Sequence, residues 1–105
     1  MIENLKQTDF EPHLNSKFRA DLPDGKMLEF ELIEVHEGVK SPTQEAFALV
    51  FRGPKEAPRL GQIFALEHDT MGTLPLFLSP FKADAEGLYY EAVFNRLVKK
   101  EAQDS

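Results

Sequence analysis

Three histidines, His13, His36 and His68, are the side chains best placed by type to move protons or hold a metal near neutral pH. Two have carboxylates close by in sequence: Glu34 and Glu37 around His36, and Glu67 and Asp69 beside His68. Residues two apart on a strand, such as Glu34 and His36, share a face and could jointly hold a metal ion. That spacing is also common on solvated strand faces, and zinc sites show tighter ligand spacing, so both histidines read first as polar positions on an outer face or strand end. A hydrolytic triad needs a Ser or Thr nucleophile, a His base and an orienting acid. Ser16, Ser41 and Ser79 are available, but none lies in a nucleophile elbow or a Gly-framed turn. The paired carboxylates Glu29 and Glu31 read as an outward strand face rather than an acid–base pair. Arg52, ahead of Gly53-Pro54, and Arg59 could form an anion-binding corner, although loop arginines mostly make local ion pairs. Tyr89 and Tyr90 point to opposite faces, and an exposed Tyr89 could be an interface anchor or only an edge residue. No cysteine is present, which removes thiolate metal sites, disulfides and cysteine nucleophiles. No phosphate loop or G-x-G-x-x-G occurs. No catalytic, cofactor or metal site residue is therefore assigned, and no cofactor is expected.

The elements that must position these residues organise around Glu45 to Arg52. This stretch holds the longest apolar run, Ala46 to Phe51, stopped by Gly53-Pro54. Phe47, Leu49 and Phe51 share one face of an extended strand; Ala46, Ala48 and Val50 share the other. A strand apolar on both faces belongs centrally in a β domain. Ahead of it, Thr8-Asp9-Phe10-Glu11 has capping-box spacing with Thr8 as N-cap, predicting a short helix over 8–14. Phe10, His13 and Leu14 lie on one face of that helix, Pro12 falls near its first turn, and Leu5 could staple it to the core. Lys17 to Leu22 alternates, with Phe18, Ala20 and Leu22 inward. Pro23-Asp24-Gly25 then turns the chain into a return strand from Met27 to Val35. Its apolar phase slips from Leu32 to Ile33, which predicts a β-bulge there.

Further strands are expected over Gln62 to His68, Thr73 to Ser79 and Leu88 to Phe94, with loops at Glu37 to Gln44, Gly53 to Arg59 and Lys82 to Gly87. Pro75 assigns its strand to an edge, or to a position whose N–H would point away from its neighbour. Asn95 to Ser105 is charged and could begin a short helix. Six strands with no helix between any pair must run antiparallel, because parallel pairing needs crossovers of about a dozen residues. The fold class is all-β with a short N-terminal helix: a six-stranded antiparallel small barrel, meander-like in connection, with a β-sandwich as the alternative. The domain reading is a single domain over 1–105, with the helix at 8–14, the barrel at 16–95 and a charged tail at 96–105.

Composition narrows the function classes. Across 105 residues, 42% are hydrophobic and 29% charged, which suits one globular domain with a modest core. Nine Phe and no Trp occur, mostly within the strand patterns, so they read as core. A net charge of -6 repels phosphate backbones and argues against nucleic-acid binding. No apolar run approaches the roughly 20 residues of a membrane helix, and the polar start lacks a signal peptide's apolar region. A cytoplasmic protein without membrane contact is expected.

Several strings carry a resemblance: Met1-Ile2-Glu3-Asn4-Leu5 with Asp9-Phe10, Phe47 through Pro54, Leu66-Glu67-His68 followed by Gly72, and Tyr90 through Asn95. They resemble, over roughly residues 1–95, a bacterial family of small domains of unknown function. Members tend to be encoded near phage-tail-collar proteins of the microcystin-dependent type. The resemblance implies a structural or accessory role beside tail-like proteins and supplies no catalytic residues. The expected function is thus a non-enzymatic accessory binding protein, with a protein partner (a tail-collar-like protein among the candidates). Self-association is also expected, since Ile63, Ala65, Phe77 and Val93 fall on the face opposite the inward set. The rival is a small ligand-binding or metal-dependent enzyme barrel using His36 or His68 with neighbouring carboxylates.

Overall fold

Alternating apolar and polar residues make each strand two-faced, and the sheet buries its apolar face by curling round upon itself. The computed structural model describes residues 5–41 and 44–97. Its strands are β1 (Lys17–Asp21), β2 (Met27–Lys40), β3 (Gln44–Gly53), β4 (Gln62–His68), β5 (Gly72–Asp84) and β6 (Gly87–Leu97). They form one antiparallel sheet, closed in a ring in the order β1-β2-β3-β6-β5-β4, rather than two stacked sheets. Phe18 pairs with Phe30 across β1 and β2, and Phe51 with Tyr90 across β3 and β6. These side chains, with Phe64, Leu49, Leu66 and Leu78, fill the interior. The inward sets expected from alternation are the buried ones: Phe18 and Ala20, Phe47, Leu49 and Phe51, Leu74, Leu76 and Leu78. Val50 is also buried, though it stands apart from the central cluster.

The bulge lies where the phase slip predicted it. The register of β2 against β3 shifts between Leu32 and Glu34, leaving Ile33 as the extra residue. Val35 then turns toward the core and Glu34 and His36 turn out.

Connectivity departs from a meander. β3 pairs with β6, while β4 pairs with β1 through Arg19 and Glu67. The proline-stiffened loop between β3 and β4 does not turn back as a hairpin. It crosses an end of the ring, with Ala57 buried and Tyr90 Oη donating to the Pro58 carbonyl. Those anchors hold the loop against the core before β4 begins beside β1.

Several boundaries also move. Residues Glu37 to Lys40, expected in a loop, continue β2, and Lys82 to Asp84 continue β5. Polar composition suggested loops, but pairing with β3 and β6 decides the backbone there. Asn95 to Leu97 belong to β6 rather than to a charged tail or helix. The remainder of that tail lies outside the described residues.

The N-terminal helix is shorter and starts earlier than expected. α1 spans Gln7–Phe10, and a 3₁₀ turn covers Glu11–His13. Lys6, not Thr8, is the N-cap, with its N–H donating to Asp9 Oδ2 at 2.7 Å. The tighter 3₁₀ turn rotates Leu14 out to solvent, while Phe10 remains fully buried. Leu5 packs against the core beside it.

Candidate functional site

Two seams of the ring are only partly laddered: β1 meets β4 through the single pair Arg19 and Glu67, and the β5–β6 seam opens along half its length. β5 and β6 pair from Asp84 and Gly87 as far as Ser79 and Glu91, with a register irregularity between Pro80 and Lys82. Beyond that point β5 stays paired with β4 back to Gly72, and β6 stays paired with β3 out to Leu97. The two strands therefore diverge and leave a cleft of about 460 Å³. Leu76, Phe77, Ala92, Val93 and Phe94 give it apolar walls, and Glu91 lies at its closed end.

The apolar ground continues outward from the cleft. Phe77 is 56% exposed, Val93 65% and Ile63 69%, too much for side chains that only pack internally. Ile63 stands directly opposite Phe77, and Ala65 opposite Pro75, across β4 and β5. The face on which alternation gathered Ile63, Ala65, Phe77 and Val93 is thus one exposed surface bordering the gap. β5 is not an edge strand, since it pairs with both β4 and β6, but Pro75 falls in the stretch that pairs with β4 alone.

Beneath the gap, a separate aromatic group holds the end of the sheet. Phe47 and Phe94 stack with ring centroids 4.5 Å apart, and Phe10 of α1 sits 6.0 and 5.6 Å from them. Helix α1 therefore acts as a plug where no strand closes the ring.

His68 lies elsewhere and is buried at the end of β4. Thr70 and Met71 donate their N–H groups to its Nδ1 at 3.0 and 3.1 Å. Nδ1 must then be unprotonated, so the neutral ring carries its proton on Nε2. Nε2 donates to Ser16 Oγ at 2.9 Å, and Ser16 Oγ donates to the His13 carbonyl. The pair brings a serine and a histidine together across 52 residues, which no sequence spacing signalled. In this tautomer, however, the ring offers Ser16 a proton rather than a lone pair, the reverse of a general base. Asp69, the nearest candidate orienting acid, is engaged by Arg19 at 2.9 Å. Rings of Phe18 and His13 pack at 4.5 and 4.6 Å, and burial, followed by the neighbouring His13, holds the His68 pKa below its ordinary value. The geometry is that of a turn clamp.

His36 is exposed on the distal part of β2, with Nε2 2.5 Å from Glu34 Oε1. It shares a strand face with Glu34 as the spacing required, but no third ligand joins them among the described residues. Among the described residues, no three His, Cys, Asp or Glu side chains gather as a metal site would need.

The outer face around Arg52 is already occupied. Arg52 reaches Glu31 at 2.7 Å and Glu86 at 3.6 Å, while Lys17 lies 3.8 Å from Glu29. Glu29 and Glu31 are thus ion-paired outward residues, and Arg52 is satisfied by carboxylates of its own chain. Arg59 lies on the exposed loop and does not join it in a corner. Tyr89, expected to be exposed, is buried instead. The Lys82 ammonium sits 4.4 Å over its ring, and burial together with nearby Asp84 pushes its phenol up. Outward alternation predicted exposure, but long neighbouring side chains cover the ring.

A protein-family model described as Domain of unknown function (DUF6916) matches residues 5–94. The chain belongs to that family. The match covers the plug helix, all but the end of β6, and both walls of the cleft, so the gap is built from family sequence. No curated protein and no solved structure matches the chain. Among the described residues, no helix is long and apolar enough to cross a membrane.

Proposed function

We propose that this DUF6916 chain is a non-enzymatic accessory binding protein that holds a protein partner through the β5–β6 cleft and its apolar border. The observation that carries the reading is the exposure of Phe77, Val93 and Ile63 around a 460 Å³ gap in the β5–β6 seam. Contiguous apolar ground beside an unpaired strand edge is the usual mark of an interaction surface. The best-formed Ser–His contact has the wrong proton arrangement for catalysis, which lowers the rival enzyme reading. The resemblance to domains encoded beside tail-collar proteins favours a bacterial, cytoplasmic setting and a partner within a phage-tail-like assembly.

The test is recovery of partners from the native host with tagged wild-type protein and with the double substitution Phe77→Lys and Val93→Lys. Both positions are exposed, so the variant should fold and melt like the parent while losing the partner. A partner retained in full by the folded variant would overturn the reading. Sedimentation of the purified chain, compared with its 11.9 kDa mass, asks whether the same face also joins two copies.

A further inference from the structure

Resting on that binding reading, we infer that the cleft takes an extended, basic peptide segment as an added strand along the free edge of β6. The argument begins with the backbone. From Ala92 outward, β6 is laddered only to β3, because its pairing with β5 ends at Glu91. Half of its N–H and C=O groups there point into the gap without a strand partner. Such an edge is a template for another extended chain.

The opposite wall is less able to serve. β5 presents Pro75, paired through Ala65 on its other side, and proline has no N–H to donate toward the gap. The two edges are therefore unequal, and a strand entering the cleft finds its donors and acceptors on β6. Side chains of that strand would alternate between two surroundings. One set would face Leu76, Ala92 and Phe94, and the other would lie between the exposed Phe77 and Val93.

Charge sets the remaining chemistry. Glu91 lies at the point where the strands diverge, is exposed, and makes no ion pair among the described residues. Among the described residues it is the one charged side chain lining the cleft, in a chain of net charge -6. A lysine or arginine at the inserted end complements it, whereas an acidic segment is repelled. A second copy of this acidic chain fits that requirement less well than a basic partner segment does.

The probe is the capped peptide acetyl-Lys-Val-Thr-Val-Thr-amide, with a copy N-methylated at both valines and another carrying Glu in place of Lys. Binding to the full chain is read by amide chemical shifts and by hydrogen exchange at Ala92 to Asn95. The parent peptide should shift and protect those amides. N-methylation keeps every side chain but removes ladder donors, and should weaken binding about tenfold. The Glu copy should be weaker by a similar factor, and Glu91→Lys should reverse that preference. Equal binding of the methylated copy would overturn strand addition while leaving the partner face intact, as would failure of the parent peptide to bind. A dimer dissociated by Phe77→Lys would name a second copy as the occupant and likewise overturn the inference. Should Phe77→Lys with Val93→Lys also leave partner recovery unchanged, the underlying binding reading falls as well.

Discussion

Two aromatic groups stabilise opposite ends of this molecule, and they are closed by different means. In the ring interior, Phe30, Phe64 and Tyr90 meet at 5.3 to 6.0 Å, and Phe18 meets Phe51 edge-on at 5.3 Å. Paired strands surround that group, and Phe18, Phe30, Phe51 and Tyr90 have no exposure at all. At the other end, Phe10, Phe47 and Phe94 sit below diverging strands, and a single turn of helix covers them. Phe94 remains half-buried. Closure by backbone pairing yields a sealed core, whereas closure by a packed plug leaves a seam with accessible apolar walls. The same residue type, phenylalanine, serves as core in one place and as the floor of a binding surface in the other.

The largest effect should come from emptying the sealed end. Phe51→Ala should destabilise by about 3–5 kcal/mol, from lost burial plus a cavity that laddered strands cannot collapse into. That is a large share of the roughly 5–15 kcal/mol typical of a domain this size. Phe94→Ala at the plugged end should lose less, about 1–3 kcal/mol, because its ring is already partly solvated and its surroundings can relax. Val50→Ala, buried but outside the central cluster, should lose about 1–2 kcal/mol. Denaturant melts of the three variants check this order. Equal losses for Phe51 and Phe94 would mean that the helix seals its end as firmly as the strands seal theirs.

Next in size is the tight β5–β6 turn, from which the closed part of the seam starts. Gly87 has φ 149°, and a Cβ there would run into the Gly53 carbonyl oxygen. Gly87→Ala should therefore lose about 1–3 kcal/mol and loosen the paired part of the seam first. Hydrogen exchange that stays slow at Tyr89 to Glu91 in this variant would contradict the account.

Tyr90 sharpens the contrast through its polar tip. Its hydroxyl donates to the Pro58 carbonyl, tying the crossing loop to the ring. Tyr90→Phe should lose about 1 kcal/mol and raise the protease sensitivity of the loop over 54–61. Burial pushes the phenol up to about 12 from an ordinary 10.0. The un-ionised form is favoured in the fold, so stability from this group is complete below pH 10 and falls as pH rises from 10 toward 12. Ultraviolet titration should show Tyr90 ionising at about pH 12 in wild type, and Tyr90→Phe should remove that step while leaving the one from Tyr89.

The smallest expected effect belongs to His68, the clamp between β4 and β5. Its ordinary pKa of 6.5 is lowered in the fold, chiefly by burial. Protonation would set a new N–H against the Thr70 and Met71 N–H groups that now donate to Nδ1. The unfolded chain thus binds a proton more readily than the folded chain. Stability contributed by the neutral ring is full above pH 6.5 and declines as pH falls from 6.5 through the lowered value. Urea midpoints of wild type and His68→Gln across pH 7.5 to 4.5 isolate this slope. A midpoint difference that does not change with pH would show that the clamp carries no proton linkage.

Much of the fold is legible in the chain because a strand's side-chain period is a local property. Alternation over Lys17 to Asp21 and Gln62 to Leu66 assigned faces correctly, and the slip from Leu32 to Ile33 announced the bulge. His68, read from its polarity as a solvated position, instead follows the inward parity of Phe64 and Leu66 and is buried. The exposed set Ile63, Ala65, Phe77 and Val93 followed from the same parity, and Pro75 from its missing donor. Where polar composition stood in for pairing, at Glu37 to Lys40 and Lys82 to Asp84, the reading stopped short, because strand ends depend on what lies beside them. Parity alone likewise turned Tyr89 outward, where neighbouring side chains in fact cover it.

By itself, then, the sequence determined which residues face inward, that the strands run antiparallel, and which family the domain resembles. Only the tertiary structure decided the order in which the strands meet. It set β3 beside β6, carried β4 across to β1, and brought Ser16 to His68 with the proton on the side that disfavours catalysis. It also opened the seam between β5 and β6. Both strands carry well-formed alternation through that region, so nothing local marks their divergence. Each strand keeps its other neighbour through that region, β4 for one and β3 for the other, while Phe10 of the plug helix packs against Phe94 at the resulting end.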